Sequence, residues 1–445
     1  MLLHELVETS RTVAETRART AKIETLAELL RALRPEEVAT AVAFLSGTLE
    51  RLGVGFAALR SLPAAAAEPG LELLEVTASL ERLGALAGQG SQAVRRQELA
   101  ELLGRATEPE QRFLQRLLYG ELRQGANEGV MVEAIAKAAG VPSRDVRRAA
   151  MLAGRIDDVA TVALAEGVEG LRAFRLELFR PLKPMLAGTA GGVDEALERT
   201  GAAALEWKLD GARLQVHRLG DEVRAYTRSL AEVTDRVPEV VEAVRGLPVE
   251  RVVLDGEVIA LRPDGRPHPF QVSMSRFGSS RAEVTVSLTP FFFDCLHADG
   301  DDLLDLPAAE RTAVLERVVP APLRTERLVT GDPVEAAAFL ERALAQGHEG
   351  VMVKALDGPY EAGRRGSGWL KVKPARTLDL VVLAAEWGHG RREGKLSNLH
   401  LGARDAERGG FVMLGKTFKG MTDAMLAWQT EHLLGLATDQ GSHVV

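Results

Sequence analysis

Cysteine is almost missing from this chain: its 445 residues include one, Cys295. An intrachain disulfide is therefore excluded, and a zinc site built from several thiolates is not expected. Aromatic residues are scarce at 4%. The accompanying abundance of Ala, Arg, Gly and Val reads as coding preference rather than function. No run of about 18 apolar residues occurs, so no membrane-spanning helix is expected. The start, Met1-Leu2-Leu3-His4-Glu5, lacks a basic stretch ahead of a long apolar core. No secretory signal is read there, and a cytoplasmic location is expected. Excess positive charge is also lacking, since the net charge is −8. That total does not exclude nucleic acid, because phosphate contacts come from local basic faces. Residues 375–420 hold eight Lys or Arg against five Asp or Glu, a local basic excess. The nine histidines show no metal-ligand spacing.

What is present divides the chain. On length alone, roughly two to four domains are expected. Residues 1–172 read as helical, with apolar positions recurring every three or four residues, as in 23–33, and Gly or Pro between the helices. At Pro181-Leu182-Lys183-Pro184 two prolines three apart predict an extended, flexible interdomain strap. Beyond it, β-rich runs alternate with helical stretches at 193–199, 236–245, 308–318 and 333–346. Strands are predicted at 204–208, 213–218, 223–227, 252–254, 258–261, 291–296, 351–354 and 370–372. This is an α+β domain with a mainly antiparallel sheet. Strands at 378–384, 399–404 and 411–416 and a helix near 422–436 follow, and read as part of a small β-barrel. The expected boundaries are 1–172, 173–374 and 375–445.

Five short strings carry chemistry. They are Glu206-Trp207-Lys208-Leu209-Asp210-Gly211, Leu254-Asp255-Gly256-Glu257, Phe292-Phe293-Asp294, Glu349-Gly350-Val351-Met352-Val353-Lys354 and Trp369-Leu370-Lys371-Val372-Lys373. Asp210-Gly211 predicts a tight turn that presents Lys208 at a sheet rim. A lysine attacks phosphorus only when unprotonated, and burial, Arg213, Lys371, Lys373 or a bound metal would favour that form. Glu257 follows a second Asp-Gly hairpin signal, and Glu349 precedes a buried strand. Glu257 is one more surface turn residue on the bland reading and, on the functional one, a carboxylate for a magnesium-type ion or for ribose hydroxyls; Glu349 is the second such candidate, and structural by itself. Phe293 is core packing by itself, or a slab for a purine base. Lys371 and Lys373 alternate with apolar residues and so share one strand face. Two cations there repel unless an anion lies between them, which points to phosphate. Arg365, beyond a Gly-Ser-Gly turn, and Arg228 are further cations for the same anion.

In that order, and with the Pro181–Ala187 strap and the Leu122-Arg123-Gln124-Gly125-Ala126 string, these motifs resemble the ATP-dependent DNA ligases of the covalent nucleotidyltransferase superfamily. The resemblance is to the three-domain form and spans essentially the whole chain. It implies an all-α DNA-binding domain, an α+β nucleotidyltransferase domain with antiparallel sheets, and an OB-type β-barrel that is here partial. It further implies that Lys208 is adenylated by ATP and that Glu206 accepts a hydrogen bond from the adenine amino group. Arg213, Arg228 and Glu257 would contact the nucleotide, Phe293 would stack on its base, and Arg365, Lys371 and Lys373 would bind its phosphates. Glu257 and Glu349 would hold magnesium, with manganese as a substitute. The implied partner is nicked duplex DNA, met by a monomer in replication, repair or recombination. The family's closing Arg-x-Asp-Lys motif does not follow Pro374, so the barrel is expected to be cut short and self-adenylation impaired. The alternatives are an RNA ligase, a capping-type nucleotidyltransferase, and a protein that binds nicks without sealing them.

Overall fold

The computed structural model describes residues 1–48, 62–86, 88, 90–120, 122, 124–126, 128–277, 286–361, 365–375, 377–389, 392–418 and 420–445. They form two compact units, Met1–Lys373 and Pro374–Val445. Among the described residues, the first unit begins with nine helices. These are α1 (Leu3–Glu15), α2 (Arg19–Ala32), α3 (Val38–Ser46), α4 (Leu73–Ala85), α5 (Ser91–Gly104), α6 (Glu108–Leu118), α7 (Glu128–Ala139), α8 (Ser143–Ala153) and α9 (Ile156–Ala173). Their apolar stripes close one core that includes Leu6, Leu26, Val42, Leu80, Phe113, Ile135 and Val159. Gln124 plugs that core. Ser10 Oγ donates to its side-chain oxygen at 2.6 Å, Lys22 Nζ donates to its carbonyl at 2.8 Å, and its amide reaches Leu45 O. Gly125 follows with φ +65°, a conformation that favours glycine. The 122–126 string is thus seen to join three helices; Arg123 lies outside the described residues.

The rest of the unit comprises β1 (Leu186–Thr189), α10 (Val193–Thr200), β2 (Ala203–Lys208), β3 (Ala212–Leu219), β4 (Glu222–Thr227), α11 (Pro238–Arg245), β5 (Arg251–Ala260), α12 (Phe270–Ser275), β6 (Leu288–Ala298), β7 (Asp301–Asp302), α13 (Ala308–Val318), β8 (Arg327–Thr330), α14 (Pro333–Ala345), β9 (Gly350–Ala355) and β10 (Arg365–Val372). They make two five-stranded sheets, ordered β1-β10-β9-β2-β8 and β4-β3-β5-β6-β7. Every pairing is antiparallel except β1 with β10. Strand alternation sorts each sheet into two faces. In the first, Leu205, Val351, Val353, Leu370 and Val372 pack beneath α10 and α14. In the second, Leu214, Val216, Leu254, Val258 and Phe292 pack beneath α11 and α13. The polar residues that alternate with them are thereby left for the space between the sheets.

The second Asp-Gly signal is not a turn. Residues 251–260 run as one strand, β5, with a register shift between Asp255 and Gly256. A Cβ on Gly256 would lie 2.7 Å from Phe292 Cδ1 and 2.8 Å from Phe291 O, so the glycine serves close packing inside the sheet. Asp255 is 1% exposed and is held by Arg213 and Tyr360. Gly366-Ser367-Gly368 is likewise inside a strand rather than a turn. The register along β1 jumps there, from Ala187 opposite Gly366 to Gly188 opposite Leu370.

The strap is extended but is not a bare linker. Arg213, Gln215 and His217, alternate residues of β3, each bond its backbone. Arg213 donates to Met185 O at 2.7 Å; Gln215 accepts from Leu182 N at 2.7 Å; His217 Nδ1 accepts from Phe179 N at 3.0 Å. Tyr226 adds a bond to Phe179 O at 2.8 Å. On its other side Lys183 N donates to Met151 O of α8 at 3.2 Å, and Arg180 reaches Ala153 O. Met151 and Leu152 then share a small core with Leu182, Met185, Tyr360 and Trp369. The helical region is therefore seated on the sheets through the strap. An Arg148–Asp305 ion pair at 2.7 Å reinforces that seat.

The second unit holds β11 (Val381–Trp387), β12 (Leu396–Arg404) and β13 (Phe411–Thr417) as one antiparallel sheet, followed by α15 (Asp423–Leu436). Among the described residues no helix is long and apolar enough to cross a membrane.

Candidate active site

The two sheets open onto a cleft of about 560 Å³. Lys208 ends β2 in the first sheet, and Leu209-Asp210-Gly211 carries the chain across to β3 in the second. The Asp-Gly turn is thus a crossing between sheets, not a hairpin. A Cβ on Gly211 would lie 2.2 Å from Val258 O, so only glycine fits under the second sheet there. Gly211 N donates to Glu257 Oε1 at 3.1 Å, and Glu349 N donates to Lys208 O at 3.2 Å. These bonds hold the lysine between two carboxylates from different sheets. Its Nζ forms an ion pair with Glu349, whose other oxygen lies 3.8 Å from Lys373 Nζ.

Register explains the other side chains. Residues directly opposite on neighbouring strands share a face. Glu206 lies opposite Arg327 and Met352, Lys371 lies opposite Met352, and Trp369 lies opposite Lys354. All line up with Lys208 on the face of the first sheet away from its helices. From the second sheet come Arg213, Glu257 and Phe293. Of the two neighbouring rings, Phe292 is 1% exposed in the core, while Phe293 borders the cleft. The Phe293 ring meets Trp369 edge-on at 5.9 Å, with Lys354 Nζ 4.5 Å and the Arg213 guanidinium 5.5 Å from its centroid. Arg213 is fixed by Asp255 through bonds of 2.9 and 2.6 Å.

Acidic charge near Lys208 is only partly compensated. Burial pushes the Glu257 carboxyl up to about 7, against the opposing bond from Gly211 N and the charges of Arg213 and Lys208. Asp210 is also raised, first by burial and then by the charge of Glu349. Among the described residues no three His, Cys, Asp or Glu side chains form a ready-made cage. One or two carboxylates beside a phosphate site nevertheless suit a magnesium ion, which takes most of its ligands from water and phosphate. A cation there would relieve the strain on Glu257 and Asp210.

The cleft gathers Lys208, Glu206, Arg213, Arg228, Glu257, Phe293 and Lys371. Glu349 joins through its ion pair with Lys208, and Lys373 through Glu349; the Lys373 side chain is otherwise half in solvent at 51% exposure. The backbone of Arg365 starts β10, but its side chain lies outside the described residues. Sequence reasoning gave no role to Arg327, Tyr360 or Lys354. Lys354 was visible as a lysine in a buried strand, an expensive placement that signals a partner. Arg327 and Tyr360 sit in no string that stands out.

Residues 184–373 match the family model described as ATP dependent DNA ligase domain, and residues 54–136 the one described as DNA ligase N terminus. A protein of Anaeromyxobacter sp. (strain K) named Probable DNA ligase is 61% identical over 98% of this chain and 88% of its own length. The chain belongs to the ATP-dependent DNA ligase family. A Mycolicibacterium gilvum (strain PYR-GCK) relative, also named Probable DNA ligase, is 58% identical over 100% of this chain and 88% of its own. The solved structure named Pmar-Lig_PreS3 aligns with a TM-score of 0.63 over 97% of this chain and 91% of that one. At 19% identity that likeness concerns the fold alone. The cleft described above falls within the stretch matched by the ligase domain model.

Proposed function

We propose that this ATP-dependent DNA ligase seals nicks in duplex DNA through an AMP carried on Lys208. One observation supports it most: Lys208 lies at the crossing of two sheets, with a base-sized aromatic wall on one side and cations and carboxylates on the other. Lys208 gives up its ammonium proton to water, leaves its ion pair with Glu349, and as the free amine attacks the α-phosphorus of ATP. A P–N bond forms, the bond to the β-phosphate oxygen breaks, and pyrophosphate departs. Arg228, Arg365, Lys371 and Lys373 balance the phosphate charge. Phe293 stacks on adenine, and Glu206 accepts from its amino group. An oxygen of the 5′-phosphate at the nick then takes the AMP, the P–N bond breaks to return the lysine amine, and the 5′-phosphorus is thereby activated. The 3′-hydroxyl attacks that activated phosphorus, closing the strand and releasing AMP.

Glu257 and Glu349, with Asp210 beside them, would hold magnesium. It would supply positive charge to the triphosphate. Arg213 and Asp255 brace each other at the cleft wall, so the nucleotide meets a fixed surface. Residues 1–172 and 375–445 act as the DNA-holding parts. Their contacts to backbone phosphates make binding sequence-independent and salt-sensitive. The protein works as a cytoplasmic monomer. The test is sealing of a labelled duplex bearing one nick with a 5′-phosphate and a 3′-hydroxyl. ATP-dependent joining that is lost in Lys208→Ala is expected, and joining that survives Lys208→Ala would overturn the reading.

A further inference from the structure

We propose that Arg327 and Lys354 set the preference for adenine over guanine by pinning the Glu206 carboxylate as a fixed acceptor. The inference rests on the ATP reading above. Glu206 is on β2, between β9 and β8 in the first sheet. Arg327 of β8 stands directly opposite it, and Lys354 of β9 is two residues beyond its other partner, Met352. Arg327 donates to one carboxylate oxygen, and Lys354 Nζ lies 2.6 Å from the other. Glu206 and Lys354 are 2% and 3% exposed. Each cation has a second anchor: Arg327 donates to Thr312 Oγ1, and Lys354 to Phe293 O at 3.3 Å. The triad thus abuts the ring against which the base stacks.

Packing alone gives no reason for this arrangement. A buried ion pair is about neutral against an apolar replacement, and here two cations attend one anion. What the triad achieves is position and polarity. Arg and Lys offer only donors, so both oxygens of Glu206 act as acceptors, with lone pairs left for a ligand. Adenine presents a donating amino group at its 6-position, whereas guanine presents an accepting oxygen. A fixed acceptor welcomes the first and opposes the second. Behind the triad lies a further hollow of about 220 Å³, lined by Glu206, Phe293, Arg324 and Arg327. Without Arg327 the carboxylate has space to turn away from the base.

The test is equilibrium binding of ATP and of GTP to the full chain by calorimetry, without magnesium. The wild type is expected to prefer ATP. Arg327→Met and Lys354→Met are each expected to narrow the ATP:GTP ratio by about tenfold or more, the size of one hydrogen bond to a charged group. Arg327→Lys should restore most of the ratio. Thr312→Val removes only the second anchor of Arg327, and is expected to narrow the ratio in the same direction by less. It decides the matter if the Met variants do not fold. A ratio unchanged in all folded variants, or equal weakening of both nucleotides, would make the cations structural and overturn the proposal. Binding of neither nucleotide by the wild type would instead overturn the site reading itself.

Discussion

Tyr360 offers the sharpest test of how the strap and the cleft are joined. Its ring is 2% exposed, and its hydroxyl accepts from Met185 N at 3.0 Å and donates to Asp255 Oδ2 at 2.7 Å. Arg213 Nη2 also donates to the Tyr360 hydroxyl oxygen, at 3.3 Å. Tyr360→Phe deletes that atom and keeps the ring, including its edge contact with Trp369 at 5.9 Å. No sizeable cavity forms, so the cost is polar. The Met185 N–H is left buried without its acceptor, at about 1–3 kcal/mol. Asp255 loses a charge-assisted bond but keeps both bonds from Arg213, which softens the second loss. The sum is about 2–4 kcal/mol. Urea unfolding of wild type and Tyr360→Phe measures it as a lower midpoint at unchanged slope. ATP binding should weaken in parallel, because Arg213 borders the cleft. A loss below about 0.5 kcal/mol would refute the reasoning, since surface changes alone reach that size.

Other outcomes follow from the same geometry. Gly211→Ala drives a Cβ toward Val258 O, 2.2 Å away, and breaks the turn that holds Glu257. A destabilisation above about 2 kcal/mol in a thermal melt is expected, with weaker ATP binding, and a neutral variant would contradict the account. Glu257, held up at about 7 against an ordinary 4.5, keeps a proton in the folded state that the unfolded chain has lost between those values. Stability should therefore fall as pH rises through that window, and Glu257→Gln should flatten the slope. His217 acts oppositely. Burial lowers it to about 3 from 6.5, so the unfolded chain binds more protons between these values. Its contribution is complete above 6.5 and is lost as pH falls toward 3, a loss that His217→Gln should reduce; an unchanged profile in both variants would contradict these assignments.

How much was legible in the sequence follows from how local each signal is. The helices of residues 1–172 and the alternating strands are written in apolar spacing, so their existence could be read. Lys208, Glu257, Glu349, Phe293 and the Lys371–Lys373 pair announce themselves as unusual residues beside apolar runs. Asp255-Gly256 misled, because its local preference is a turn, whereas packing against Phe292 and the Arg213–Tyr360 bonds keep it inside β5. Asp210-Gly211 is a real turn, but one that changes sheets, which needs knowledge of both partners of β2. Arg327 meets Glu206 only through strand pairing between residues 121 positions apart. The strap showed its extension through its prolines. The side chains of β3 that fasten it could be assigned only once that strand was placed beneath it.

The central claim is that one amine takes up AMP. Incubation of the protein with α-labelled ATP and magnesium, followed by peptide mapping, tests it directly. The account predicts that the adduct, however slowly it forms in a chain expected to be impaired in self-adenylation, is acid-labile, lies on Lys208 alone and is absent from Lys208→Arg, although that variant keeps a cation for Glu349. An adduct on another residue, or one that persists in Lys208→Arg, would contradict it.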